Sequence, residues 1–226
     1  MTAPENTAEE QAARALLRDV VELLAKGLDS LGGKVLSGKP QYVAWCALRV
    51  CKAADAYLYL RDGGKKDAAK YLVRGPLETT FKLLAVLQKP GMLFRVAYTE
   101  WQKEKRLLAK PPDATAEIAI LAGMEETFRK HFPGEPRDRK QVKISELAEA
   151  AGLKQRYEGD YAVYCLQTHG ALRAMMGELD VTAEQHDTRI LALTALTMLD
   201  QLKAHTPAVV PDVQQLVKRY AELPRS

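Results

Sequence analysis

Apolar side chains recur every three or four residues along most of the chain, and the strict alternation of a half-buried strand is nearly absent. Glycine and proline pairs such as Gly63-Gly64 and Pro111-Pro112 separate these segments. The segment from Ile190 to Leu199 carries no charge and is apolar on most of its circumference, as is typical of a central helix. The pattern predicts an all-α fold, a single-domain irregular bundle of about eight to nine helices over residues 1–226.

Two of the predicted helices contain a residue that disturbs a regular helix. In the helix over about 65–88, Pro76 removes the amide that would bond the carbonyl of Leu72. Because the apolar period continues across this proline, we expect a kink near Gly75-Pro76 rather than a break. The helix over about 153–179 contains Gly159, where we expect it to be loosened.

Composition narrows the class of protein. The chain is 47% hydrophobic and 27% charged, as in a globular protein, and its net charge of +4 is too small for a nucleic-acid binder held by overall charge. Three cysteines without a C-x-x-C pattern predict free thiols in a cytoplasmic protein. The first fifteen residues lack an apolar core, and no run approaches about 20 apolar residues. We therefore expect neither a signal peptide nor a membrane partner.

Several common chemistries lack their motif. The sequence has no phosphate-binding glycine loop, no H-E-x-x-H and no G-x-S-x-G. None of its four histidines lies three or four residues from another, so no helix face offers a pair of imidazole ligands. The prediction is a protein with no metal site and no cofactor.

Two sets of polar residues share helix faces with apolar residues. Arg74 and Glu78 are one turn apart beside an apolar stripe, which places them at the border of the core. The second set has a spacing of four residues, so its phenol, thiol, imidazole and guanidinium share one face: Tyr161, Cys165, His169 and Arg173. Each set is interpreted either as a structural network or as part of a functional site.

The segments YLVRGPLETTFKLLAVLQKP and ISELAEAAGLKQRYEGDYAVYCLQTHGAL resemble a bacterial all-helical family catalogued as a domain of unknown function. That family carries an R-x-x-x-E helix and a helix with Y-x-x-x-S-x-x-x-H, and the resemblance covers roughly residues 65–178. Arg74 and Glu78 match the first motif, and Tyr161 and His169 the second, with Cys165 in place of the serine.

The family is regarded as a distant relative of HEPN domains, so the resemblance implies a HEPN-like core. HEPN proteins include ribonucleases and toxins of phage-defence systems, and the catalytic ones carry R-x4–6-H on one helix. In this chain Arg173 follows His169 instead of preceding it.

The stretch from Arg129 to Lys143 contains six Lys or Arg residues and two acidic ones, next to two phenylalanines. It predicts either a solvated loop or a patch that binds phosphate groups, with three basic residues at its centre: Arg137, Arg139 and Lys140.

Three functions remain open. The first is a metal-independent ribonuclease or phage-defence component acting on RNA or a nucleotide, with Arg74, Glu78 and His169 as catalytic residues and Tyr161, Cys165 and Arg173 as binding residues. The second is a non-enzymatic interaction module in which the same cluster is structural. The third is a binder of a small anion. A homodimer is compatible with each of them.

Overall fold

The computed structural model describes residues 8–107, 114–168 and 183–223, which form helices and connecting loops with no strand among them. The prediction of an all-α fold is therefore confirmed. The helices are α1 (Ala8–Asp29), α2 (Gly38–Asp62), α3 (Lys66–Lys70), α4 (Arg74–Gln88), α5 (Met92–Leu107), α6 (Ala114–His131), α7 (Ile144–Ala150), α8 (Lys154–Arg156, a π-helical turn Tyr157–Tyr161, and Ala162–Thr168), α9 (Ala183–His205) and α10 (Gln214–Ala221). Within these ranges no helix is both long and apolar enough to cross a membrane.

The described residues divide into two compact units. The first takes those within Met1–Lys34, Val43–Thr80 and Gln155–Ser226, and the second those within Val35–Tyr42 and Phe81–Lys154. Helix α4 begins in the first unit and ends in the second. That the whole chain forms one domain stays a prediction.

The core of the first unit is built around α9. This helix packs against α1, which buries Leu17, Val20 and Leu24. The uncharged stretch of α9 is buried almost throughout, as its sequence predicts, through Ile190, Leu191, Ala192, Ala195, Leu196, Met198 and Leu199. Removing these apolar surfaces from water is the main stabilising contribution to this unit.

The helix is interrupted by a turn where only a kink was expected. Helix α3 ends at Lys70, a turn follows over 71–73, and α4 begins at Arg74. Pro76 therefore lies in the first turn of a new helix, where a missing amide costs no hydrogen bond. The expectation of a continuous kinked helix was wrong, because a proline with apolar residues on both sides fits a helix start as well as a helix interior.

The second unit is built around an aromatic group from α5 and α6. The Phe94 ring lies edge-on to Phe128 with 5.1 Å between centroids, and Trp101 lies edge-on to both at 5.8 and 5.9 Å. The hydroxyl of Thr99, in the same helix as Phe94, accepts the Val142 amide at 2.9 Å. This bond fixes the end of the loop that precedes α7.

We expect Thr99→Val to lower the free energy of unfolding by about 1–3 kcal/mol, because it leaves the buried Val142 amide without its acceptor. Thr127→Val is the matched control, since both hydroxyls donate to the carbonyl four residues earlier but Thr127 is exposed. Urea denaturation should show a change of less than about 0.5 kcal/mol for the control. Equal effects in the two variants would show that the loop bond contributes nothing.

Candidate functional site

Three polar side chains from distant parts of the chain meet in the first unit. Arg74 Nε donates to Glu78 Oε1 at 3.0 Å, and the Tyr161 hydroxyl donates to the same oxygen at 2.5 Å. Arg74 Nη2 also donates to the Tyr161 oxygen at 3.2 Å, and its guanidinium carbon lies 5.5 Å from the centre of the Tyr161 ring. These contacts define the Arg74–Glu78–Tyr161 cluster.

Two local features bring the cluster together. The turn over 71–73 lets Arg74 begin α4, so Glu78 lies one turn further along the same face. Tyr161 closes the π-helical turn of α8, where its ring stacks on Tyr157 with 5.3 Å between centroids. Single π-helical turns are rare and often occur at functional sites. Gly159 lies inside this turn, so the helix is irregular at the residue where the sequence predicted that it would be loosened.

The cluster is partly exposed. The side chains of Arg74 and Glu78 retain 25% and 20% of their accessible surface, while Tyr161 is buried. An open cleft would favour a ligand site, and a network sealed from water would favour a structural one. The observed cluster combines internal pairing with access to solvent.

The surroundings raise the pKa values of Arg74 and Tyr161. Partial burial by itself would lower the pKa of Arg74, but the hydrogen bond with Tyr161 and the negative charge of Glu78 raise it above its ordinary value. Burial is the main reason that the pKa of Tyr161 is raised, followed by its hydrogen bond to Glu78. At neutral pH the cluster therefore contains a permanent cation and an un-ionised phenol.

The remaining predicted residues have different outcomes. Cys165 lies one turn after Tyr161, is half-buried, and hydrogen-bonds with it. His169 and Arg173 lie outside the described residues. The structure therefore brings Arg74, Glu78, Tyr161 and Cys165 together, and the placement of the histidine and of Arg173 stays a prediction.

The predicted basic patch lies in a loop of the second unit, over 132–143. Arg137, Arg139 and Lys140 are all exposed there. Arg139 Nε pairs with Glu125 Oε1 at 2.8 Å, and the Lys140 amide donates to a carboxylate oxygen within the loop. Pairing with Glu125 offsets part of the local positive charge.

Sequence reasoning missed a group of buried polar side chains in the first unit. The Tyr164 hydroxyl donates to Asp187 Oδ1 at 2.5 Å, and the hydroxyls of Tyr57 and Thr188 lie 2.9 Å apart. All four side chains are buried. The available signal was the pair of polar residues, Asp187 and Thr188, which only Arg189 separates from the uncharged stretch of α9.

Comparisons with known proteins identify a family and no function. A model described as "Family of unknown function (DUF5677)" matches residues 41–187, a range that contains both motifs of the resemblance. No curated protein and no solved structure matches the chain. Within the described part of the chain, no group of three or more His, Cys, Asp or Glu side chains is arranged to hold a metal ion.

Proposed function

We propose that this chain, which belongs to the family of unknown function DUF5677, is a HEPN-like protein that cleaves RNA without a metal at the Arg74–Glu78–Tyr161 cluster. The observation that carries the proposal is the meeting of a permanent cation, a carboxylate and a phenol from segments 87 residues apart. Both charged side chains remain accessible to a ligand.

The cluster supplies groups that RNA cleavage requires. Glu78 takes the proton of the ribose 2′-hydroxyl as its oxygen bonds to phosphorus. Arg74 stabilises the extra negative charge on the phosphorane-like transition state. The bond between phosphorus and the 5′-oxygen then breaks, and His169 gives that oxygen a proton. Tyr161 is a positioning residue, because its hydroxyl bonds both Glu78 and Arg74.

A second function is favoured by the internal pairing. In a non-enzymatic interaction module, the bonds that join Arg74, Glu78 and Tyr161 would tie α4 to α8 and have no chemical role. The wild-type protein would then not cleave RNA, and replacing one of the three residues would change only the stability of the protein.

We expect Glu78→Gln and His169→Ala each to lower the cleavage rate of labelled single-stranded RNA by about 10²–10⁴-fold, measured in EDTA. Glu126→Gln and His205→Ala are the matched controls, since Glu126 and His205 are both exposed. DNA of the same sequence should remain uncut, because it lacks the attacking hydroxyl. Circular dichroism confirms that each variant is folded.

Two results would contradict the nuclease proposal. The first is an unchanged rate in His169→Ala, and the second is a folded wild-type protein that leaves RNA intact. If the folded wild-type protein leaves RNA intact and Glu78→Gln destabilises it by about 1–3 kcal/mol, the interaction module is the better description.

The HEPN-like character proposed here extends the proposal to a role in phage defence or as a toxin component, and to a homodimer.

In the second unit, exposed Arg137 and Lys140 would bind RNA phosphates together with Arg139. Their effect would be on the salt dependence of RNA affinity rather than on the cleavage step.

A further inference from the structure

A second polar site lies in the first unit, in an open cleft of about 490 Å³. We call it the His186 cleft, and it is lined by Gln155, Arg156, Asp160, His186, Arg189, Ile190 and Tyr220. These residues come from α8, α9 and α10. Neither the nuclease proposal nor the family motifs use any of them.

Asp160 organises the cleft. His186 Nε2 lies 2.9 Å from Asp160 Oδ1, and Arg156 Nη1 lies 3.4 Å from Asp160 Oδ2. One carboxylate thus holds an imidazole and a guanidinium in fixed positions. His186 remains about half exposed, so its ring is accessible from the cleft.

The groups around His186 favour its charged form. Its hydrogen bond to Asp160 is the main cause of its raised pKa, burial acts in the opposite direction, and the charge of Asp160 raises it further. The other ionisable groups that face it are Arg156 on α8, Asp187 and Arg189 on α9, and Tyr220 on α10.

The charge and shape of the cleft indicate its ligand. With His186 protonated, Arg156, Arg189 and the imidazolium outnumber the single carboxylate of Asp160 among the lining residues. Guanidinium groups suit phosphate oxygens because their donors form a planar fork. The volume lies within the usual range for small-molecule sites, and Ile190 and the Tyr220 ring supply apolar surface for an organic group.

We propose that the His186 cleft binds a small phosphomonoester, with its phosphate between Arg156, Arg189 and His186 and its organic part against Ile190 and Tyr220. Asp160 acts as a positioning residue for His186 and Arg156. The site is independent of RNA cleavage, so either proposal can fail without the other.

Isothermal titration calorimetry with AMP, adenosine and inorganic phosphate tests this proposal. We expect AMP to bind at micromolar to low-millimolar concentration, phosphate to bind more weakly, and adenosine not to bind. Arg156→Met and His186→Gln should each weaken AMP binding at least tenfold. Exposed residues outside the cleft provide the matched controls Arg49→Met and His205→Gln, which should bind within twofold of wild type.

The pH dependence separates recognition by His186 from a structural effect. Above about pH 7 the phosphate of AMP is largely a dianion, so a further loss of attraction as the pH rises comes from His186, whose pKa is raised mainly by its hydrogen bond to Asp160. Wild-type affinity should therefore fall over this range, and the affinity of His186→Gln should stay constant. Adenosine binding as tightly as AMP, or unchanged AMP affinity in both cleft variants, would overturn the proposal.

Discussion

Replacing Arg61 by methionine is expected to lower the free energy of unfolding by about 3–5 kcal/mol. Arg61 on α2 pairs with Glu10 on α1, and only 1% and 6% of their side-chain surfaces are exposed. Removing Arg61 takes a hydrogen-bond donor and a compensating positive charge away from a buried carboxylate. Chemical denaturation at neutral pH measures the loss.

Two further variants test whether the loss comes from a buried Glu10 carboxylate that no longer has Arg61 beside it. Replacing both partners, as Glu10→Leu with Arg61→Met, should recover most of the stability because neither charge of this pair remains in the core. Arg18→Met is the control for arginine removal, since the Arg18–Asp62 pair is about half exposed and worth less than about 1 kcal/mol. A loss in Arg61→Met no larger than in this control would contradict a buried ion pair.

The apolar pattern predicted most of the fold because the hydrogen bonds of a helix join residues that are close in the sequence. The uncharged stretch of α9 is buried, and the charged loop at 132–143 is not helical. The helix that was expected to be loosened at Gly159 contains a π-helical turn at that residue. The break before Arg74 was missed. The apolar pattern around Pro76 is compatible with a proline inside a kinked helix and with a proline in the first turn of a new helix. Only the packing of the folded chain distinguishes the two.

The candidate site was predicted only in part, because it depends on which helices touch. Four-residue spacing placed Arg74 with Glu78, and Tyr161 with Cys165, but the contact between these pairs depends on the packing of α4 and α8. Asp160 and His186 are 26 residues apart and share no period, so no sequence pattern indicated their pairing. The same holds for the buried bond between Tyr164 and Asp187.

The largest pH effect on stability is expected from Asp187, which is 1% exposed. Burial is the main cause that raises its pKa from 3.8 to about 6, and the hydrogen bond from Tyr164 only partly offsets this cause. Between these values the folded protein binds a proton that the unfolded chain has released. Stability should therefore fall by about 3 kcal/mol as the pH rises from about 4 to about 6, and then level off.

Asp187→Asn should remove this pH dependence, because its amide oxygen still accepts from Tyr164 and carries no charge. The quantity to measure is the difference in unfolding free energy between wild type and variant from pH 4 to 7. Carboxylates such as Asp62 and Glu100, whose pKa values are lowered, act in the opposite direction and cancel in that difference. A difference that stays constant across this range would mean that Asp187 ionises as easily in the fold as in water.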